Sequence, residues 1–271
     1  MNEAQDVQEA EVGNGRYIYC IANRGAEVSF SKIGIEDADV YMIPYKDIVA
    51  VAHACQAKPY ETKDEERAKR WIFTHNYVID KMTERFGTVL PFSFDVIVRG
   101  NDNTIKDWLS ENYEKLKQDL ERVKAKAEYS VQIFCDQDKL TEKIMNNAQE
   151  LRKLKEGIEK GSKGHAYLLQ RKFELKIKSA ISAEISKLAE ELSSKLKEHV
   201  EEIRVEEKTK WVSEKYKEKK LIVALSCLAH KDKVEKLAEV LSDINKREGF
   251  AVRFTGPWAP FSFVRLKEAR R

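Results

Sequence analysis

Histidine and cysteine are the residue types in this chain that could bind a metal ion or act as a base or nucleophile. The sequence contains no HxH, HExxH or CxxC pair, the spacings that bring such side chains together. We therefore expect core or surface roles for the five histidines, which are His53, His75, His165, His199 and His230. The four cysteines lie far apart in apolar runs, and they are Cys20, Cys55, Cys135 and Cys227. This pattern favours buried free thiols in a reducing cytoplasm, and we expect no metal ion and no cofactor.

A glycine-rich segment at residues 157–164 is the nearest approach in this chain to a phosphate-binding loop. Its serine and lysine are in the wrong order for GxxxxGK[ST], and it lies between helical patterns, whereas a phosphate-binding loop follows a strand. The pattern favours a hinge between two helices. A nucleotide-binding or phosphate-dependent enzyme that uses this loop is the alternative from a different functional class.

Carboxylates are abundant, but none lies in an apolar pattern that would raise its pKa for acid–base chemistry. Asp95, within a strand pattern at residues 88–98, is the nearest candidate. A lone carboxylate on an edge strand more often blocks pairing with another chain. No GxGxxG or GxSxG motif is present. By elimination, the residues predict a non-enzymatic interaction protein with no small-molecule substrate.

The composition describes a chain with an unusually ionic surface: 35% of its 271 residues are charged, yet the net charge is only +3. Such a balance argues against a nucleic-acid binder that depends on a basic footprint. No apolar run is long enough to cross a membrane, so we expect no membrane partner. Residues 1–15 are acidic and lack an apolar centre, and we predict a disordered tail there.

Residues 16–127 are predicted to form a first α+β domain. Strand patterns occur at 17–21, 28–33, 40–43 and 48–54, with Pro44 marking a turn. A helix is expected over 64–86, capped by Thr62 or Asp64 and ended by Gly87. A strand with an internal proline follows at 88–98, and a second helix is expected over 104–127. The pattern indicates one small antiparallel sheet with two helices.

Residues 128–265 are predicted to form a second α+β domain, followed by a basic tail at 266–271. Strand patterns occur at 129–135, 208–211, 221–229 and 250–255, and helical patterns occur at 139–206 and 233–247. The long helical region is expected to break once, at 157–164, and to form a hairpin. This order is the split βαβ pattern of ferredoxin-like domains, with an enlarged first crossover.

The final strand pattern runs into an aromatic, proline-rich stretch. Pro257 and Pro260 cannot donate to a strand ladder, so the ladder should end there in a stiff extended rod. The rod carries Trp258, Phe261 and Phe263. It either packs on its own domain or docks on a partner.

Three stretches, in this order, resemble the gas vesicle protein F/L family (GvpF/GvpL). They are residues 87–94 (GTVLPFSF), 164–171 (GHAYLLQR) and 255–263 (TGPWAPFSF). The third is the most specific, and the first strand, RYIYCI, also looks like that family. The family commonly has proline, tyrosine and lysine where Ala259, Phe261 and His165 stand here, which are mild departures. The resemblance covers residues 16–265 and leaves the F-like and L-like branches undecided.

The resemblance implies a non-enzymatic accessory or minor structural protein of gas vesicles, the buoyancy organelles, located in the cytoplasm or on the vesicle. It implies two α+β domains and contacts with the shell protein GvpA and other accessory proteins. The candidate partner-binding residues are Gly256, Pro257, Trp258, Pro260, Phe261 and Phe263, together with Leu90, Pro91, Phe92 and Tyr167. For each of them, ordinary core packing is the alternative role.

Overall fold

The computed structural model describes residues 14–23, 25, 29–206 and 214–264. Contacts divide the chain into two compact units, one of residues 1–128 with 257–271 and the other of residues 129–256. The sequence predicts residues 257–264 to belong to the C-terminal domain, whereas contacts group them with the first unit. The predicted tail at 1–15 lies outside the described residues except for Asn14 and Gly15, and the predicted tail at 266–271 lies wholly outside them.

The first unit is a mixed sheet-and-helix fold, as predicted. Its elements are β1 (Gly15–Asn23), β2 (Tyr41–Tyr45), β3 (Ile48–Cys55), α1 (Glu65–Phe86), β4 (Val89–Pro91), β5 (Ile97–Arg99) and α2 (Asp102–Arg122). The sheet order is β2-β3-β1-β4, with β5 also paired to β1, and these pairings are antiparallel. Both helices pack against β1, which explains why that strand is almost entirely buried.

Helix α1 begins and ends where its sequence predicts. The Asp64 carboxylate accepts hydrogen bonds from the backbone N–H groups of Glu66 and Arg67, and Gly87 ends the helix with a φ of 73°. The buried positions follow the helical period and include one histidine; they are Trp71, His75, Val78, Ile79 and Met82. The period therefore places His75 inside the unit.

Three local predictions for this unit need correction. Pro44 lies within β2 and opposite Val49, where a turn had been expected, because an edge strand tolerates a missing N–H. The single strand predicted over 88–98 is two short strands, with Asp95 at a φ of 70° between them. In the region 28–33, only Phe30 forms a bridge, to Val40, and residue 28 lies outside the described part.

The second unit has the predicted ferredoxin-like topology. Its elements are β6 (Lys126–Cys135), α3 (Gln137–Asn147), α4 (Gln149–Lys160), α5 (Lys163–Lys197), β7 (Glu202–Val205), β8 (Lys220–His230), α6 (Val234–Lys246) and β9 (Phe250–Trp258). Among the described strands the order is β7-β8-β6-β9, which is the split βαβ arrangement. The first and last strands extend by a few residues beyond the unit boundaries.

The enlarged crossover contains three helices, where the sequence had suggested two. An additional break occurs at Ala148, whose backbone is extended (φ −104°, ψ 93°). The last helix ends at Lys197, and Ile203, which had been assigned to the helical stripe, lies in β7. The predicted strand at 208–211 lies wholly outside the described residues.

The glycine-rich segment has the geometry of a tight helical corner. Gly157 lies within α4, and the linker to α5 consists of Gly161 and Ser162 alone. A Cβ atom at Gly157 would lie 3.0 Å from Leu169 Cδ1, and one at Gly161 would lie 2.9 Å from the Gly157 carbonyl oxygen. These glycines let α4 and α5 approach closely at a two-residue linker between helices, whereas a phosphate-binding loop follows a strand.

The ladder of β9 continues further than predicted, through Pro257 to Trp258. Gly256 adopts a φ of 130°, a conformation that favours glycine. Since β9 is an edge strand, a proline within it removes no required hydrogen bond. No helix among the described residues is long and apolar enough to cross a membrane.

Candidate functional site

The C-terminal segment, defined here as residues 257–264, is fixed on the first unit with two aromatic rings facing outward. Ala259, Pro260, Phe263 and Val264 are buried, and Ala259 belongs to the main core cluster of this unit. Trp258 and Phe261 are 49% and 36% exposed, whereas Phe263 is 1% exposed. The rod that the sequence predicted therefore has one buried side and one aromatic side facing solvent.

Polar groups hold the backbone of the C-terminal segment in place. The carboxylate of Glu128, itself buried, accepts hydrogen bonds from the Ser262 backbone N–H at 2.7 Å and from the Ser262 hydroxyl at 2.5 Å. The Arg122 guanidinium donates to the Phe263 carbonyl oxygen at 2.5 Å. Two N–H groups, of Phe263 and Val264, donate to the Pro260 carbonyl and close a turn. The bonds made by Glu128 and by Arg122 are charge-assisted, and such bonds are among the stronger ones in proteins.

One exposed ring of the segment lies against helix α1. The Phe261 ring centroid is 6.4 Å from that of His75, with an interplanar angle of 45°. Ile72, one helical turn before His75, is 46% exposed. The segment is thus in contact with α1 through Phe261 and His75.

Beneath this surface, His75 belongs to a fully bonded polar chain. The Asp95 backbone N–H donates to the Tyr17 hydroxyl oxygen at 3.1 Å, and that hydroxyl lies 2.8 Å from His75 Nδ1. His75 Nε2 lies 3.2 Å from the Phe92 carbonyl oxygen. Since a carbonyl only accepts, Nε2 carries the ring proton, and Nδ1 accepts from Tyr17.

A second chain runs beside the first. The Ile35 backbone N–H donates to the Tyr19 hydroxyl oxygen at 3.1 Å, and the hydroxyl lies 2.9 Å from His53 Nδ1. His53 Nε2 lies 3.1 Å from the Tyr60 hydroxyl. Together these five residues form what we call the Tyr–His network, which consists of Tyr17, Tyr19, His53, Tyr60 and His75.

Burial keeps this network neutral. Loss of hydration lowers the pKa of His53 and of His75 to about 4. Loss of hydration likewise raises the pKa of Tyr17 and of Tyr19 far above the usual range for tyrosine. Both ring nitrogens of His53 and of His75 are already hydrogen-bonded, so neither histidine offers a free nitrogen as a base. The network instead holds together β1, α1 and the segment before β5.

The other chemically active residue types are also enclosed. All four cysteines are free and buried, and burial raises the pKa of Cys55 to about 11. Within the described ranges, no group of three or more His, Cys, Asp or Glu residues could hold a metal ion. A cavity of about 520 Å³ in the first unit is lined by His53, Cys55, Tyr60 and Trp71, among other residues.

Comparison with known proteins places this architecture in a family. The family model described as "Gas vesicle synthesis protein GvpL/GvpF" matches residues 15–265, which span both units and the C-terminal segment. The chain belongs to the GvpL/GvpF family of gas vesicle proteins.

Curated relatives of this GvpL/GvpF chain are gas vesicle proteins of Halobacterium salinarum and Haloferax mediterranei. Gas vesicle protein L1 of Halobacterium salinarum is 31% identical over 261 residues, with 95% of this chain and 92% of the relative covered. Gas vesicle protein L of Haloferax mediterranei is 25% identical, with 95% and 89% covered.

Solved structures of GvpF share the fold of this GvpL/GvpF chain. The crystal structure of GvpF from Anabaena sp. PCC7120 has a TM-score of 0.75 at 18% identity and covers 94% of this chain and 99% of its own. GvpF from Microcystis aeruginosa has a TM-score of 0.67 at 14% identity and covers 93% and 100%. The likeness to these structures concerns the fold.

The candidate partner-binding residues of this GvpL/GvpF chain fall into two groups. The buried ones are Leu90, Pro91, Phe92, Pro260 and Phe263, and the exposed ones are Gly256, Pro257, Trp258, Phe261 and Tyr167. Within the first unit, Trp258 and Phe261 lie on one short segment. Tyr167 is 66% exposed on α5 of the second unit.

The Tyr–His network and the clamp formed by Glu128 are not predicted from the sequence of this family member. Two signals for the network were present, namely Tyr17 and Tyr19 two apart in a strand, and His75 on an apolar helical face. Neither signal identifies which residues form hydrogen bonds with each other, because Tyr17 and His75 are 58 positions apart.

Proposed function

We propose that this protein is an accessory or minor structural protein that binds the shell protein GvpA and other vesicle proteins during gas vesicle assembly. Support comes from the family match over residues 15–265 and from relatives that are named gas vesicle proteins. The role is a non-catalytic one in the cytoplasm or on the vesicle. Its purpose is buoyancy.

The observation that carries this proposal is the fixed C-terminal segment with its outward Trp258 and Phe261 rings. Buried neighbours and the Glu128 clamp order the backbone before any partner arrives. A preordered aromatic anchor loses little conformational entropy on binding, and buried aromatic side chains dominate many protein interfaces.

The physical need for such a protein follows from what a shell subunit does. A subunit that polymerises into an apolar wall exposes apolar patches and free strand edges before it is incorporated, and these promote aggregation. A protein with an ionic surface and a few ordered aromatic anchors can hold such a subunit in solution and deliver it to the growing shell.

A tagged pull-down combined with flotation of vesicles tests the proposal. The tagged full chain is produced in cells that make the vesicle proteins, and both the soluble fraction and floated, urea-washed vesicles are analysed. Recovery of GvpA with the soluble protein and none in washed vesicles supports an assembly role. Retention in washed vesicles supports a minor structural role, and the absence of both signals contradicts the proposal.

A matched pair of variants shows whether the proposed surface is used. The double variant Trp258→Ala/Phe261→Ala removes the two outward rings of the segment. The double variant Phe73→Ala/Tyr77→Ala removes two rings of α1 that are 71% and 48% exposed. We expect GvpA recovery to fall in the first variant and to persist in the second.

A further inference from the structure

The first half of α5 presents an outward face that the core of the second unit does not use. Tyr167, Leu168 and Leu175 are 66%, 67% and 67% exposed. Their spacing, together with that of Arg171 and Lys178, follows steps of three, four and seven, which place all five on one side of a helix. Exposed apolar side chains grouped in this way mark interaction sites.

A different side of the same helix packs against the core of the second unit. Phe173, Ile177 and Ile181 pack against the core cluster that includes Leu140 and Leu151 of α3 and α4. Since these residues anchor α5, the stability of the unit does not account for the apolar residues on the outward face.

The surroundings of this face are strongly basic. Between Gln149 and Lys178 the chain has nine basic and four acidic residues, a net charge of +5, whereas the whole chain has +3. Glu150 is paired with Lys176, and Glu174 accepts a hydrogen bond from Gln170. Within the described residues, Arg171 and Lys178 on the outward face have no ion pair, so their charges are available to a partner.

The mixture of apolar and basic groups on one face restricts the kind of partner. Helices that lie in a membrane surface separate apolar and basic residues onto opposite faces. Here a lipid surface would have to bury Arg171 and Lys178 together with the leucines. Single-stranded nucleic acids stack successive bases on several aromatic side chains, and this face carries one aromatic ring, that of Tyr167.

An amphipathic helix of a partner protein can contact both the apolar and the basic groups of this face. Its apolar side chains cover Tyr167, Leu168 and Leu175, while acidic side chains beside them pair with Arg171 and Lys178. Gly164, one turn before Leu168, leaves open space into which a partner side chain can fit, because no atom lies within 4 Å of a Cβ built there. The face from Gly164 to Lys178 is about 21 Å long, the length of a four-turn helix.

We propose that this outward face of α5 is a docking site for an acidic amphipathic helix of a partner protein. The inference rests on the proposed function in that the partner is sought among vesicle proteins. It adds a surface in the second unit that is distinct from the C-terminal segment.

Site-specific photo-crosslinking tests the inference. Benzoylphenylalanine replaces Leu168 in the full chain, which is produced in cells that make the vesicle proteins, and crosslinked peptides are identified by mass spectrometry. We expect a crosslink to a segment of another protein that alternates apolar and acidic residues at helical spacing. The charge-reversal variant Arg171→Glu/Lys178→Glu should lower the yield about tenfold, because it opposes like charges.

A control of equal charge separates local from general electrostatics. Lys187→Glu/Lys236→Glu changes two exposed lysines of the same unit that lie off the face, and it should keep the yield. The inference is overturned if the control loses the crosslink equally, or if the crosslink is absent. It is also overturned if the crosslink joins lipid, nucleic acid, a basic segment or a second copy of this chain.

The two proposals fail in distinguishable ways. In the Trp258→Ala/Phe261→Ala background the α5 crosslink should persist, since the substituted residues lie on the other unit. If GvpA is recovered normally but no α5 crosslink forms, only the docking site on α5 is wrong.

Discussion

Tyr17 and Tyr19 each hold one buried histidine in its neutral form. Each hydroxyl accepts a backbone N–H and lies within hydrogen-bonding distance of a ring Nδ1. If His75 were protonated, its Nδ1–H would face a hydroxyl that already accepts a hydrogen bond from Asp95. The geometry therefore opposes the charge in the same direction as burial does.

The Tyr17→Phe substitution tests how much this hydrogen-bonded arrangement contributes to the free energy of unfolding. It leaves the Asp95 N–H and His75 Nδ1 without a partner in a buried site, and it should lower the free energy of unfolding by about 1–3 kcal/mol. Urea denaturation is the measurement. Tyr45→Phe, which removes an exposed contact with Ser110, should cost less than about 0.5 kcal/mol; equal losses in both variants would contradict the structural role.

The two histidines also predict a pH dependence of stability. Their pKa is about 4 in the folded protein, below the value of about 6.5 in an unfolded chain, so the unfolded state binds more protons between these values. Stability is therefore complete above about pH 6.5 and is lost as the pH falls toward 4. Between about pH 7 and pH 5 we expect a loss of about 2 kcal/mol for each histidine.

Urea titrations at several pH values check this expectation. His75→Gln keeps a donor and an acceptor but does not titrate, so it should remove about half of the pH dependence. A wild-type stability that does not change between these pH values would show that the histidines are not buried as neutral groups.

Among the elements, the C-terminal segment shows how a proline-rich stretch becomes ordered. The prolines restrict its backbone, Ala259 and Phe263 bury its inner side, and Glu128 satisfies a backbone N–H that no strand partner satisfies. These contacts all lie in the first unit, although the strand before the segment belongs to the second.

Glu128→Ala should release this segment. The substitution removes two charge-assisted bonds to Ser262, and we expect a loss of about 1.5–3 kcal/mol in the free energy of unfolding. Hydrogen exchange at the amides of residues 261–264 should accelerate. Glu190→Ala, at an exposed position on α5, serves as the matched control, and unchanged exchange in Glu128→Ala would mean that the clamp does not order the segment.

For the whole molecule, the residues that maintain the fold differ from those that we propose to bind partners. Phe263→Ala removes a ring that is 1% exposed and should cost about 3–5 kcal/mol of stability. Trp258→Ala, at a residue that is 49% exposed, should cost less than about 1 kcal/mol yet weaken GvpA recovery. If Trp258→Ala unfolds the protein, the docking role of that ring is wrong.

Local chemistry made several features predictable from the sequence alone. The helical period placed His75 inward, Asp64 and Gly87 set the ends of α1, and the order of the patterns in the second domain predicted the ferredoxin-like sheet. The 255–263 run indicated the family. Each of these depends on residues close together in the chain or on the order of elements.

The tertiary structure alone decided the remainder, because it depends on distant residues. Tyr17 meets His75 across 58 positions, and Ser262 meets Glu128 across 134. The break at Ala148 and the strand at Glu202–Val205 depend on packing that no local pattern records. Similarly, the sequence supplied Trp258 and Phe263 as equal aromatics, and only the packed core of the first unit determined which ring is exposed to solvent.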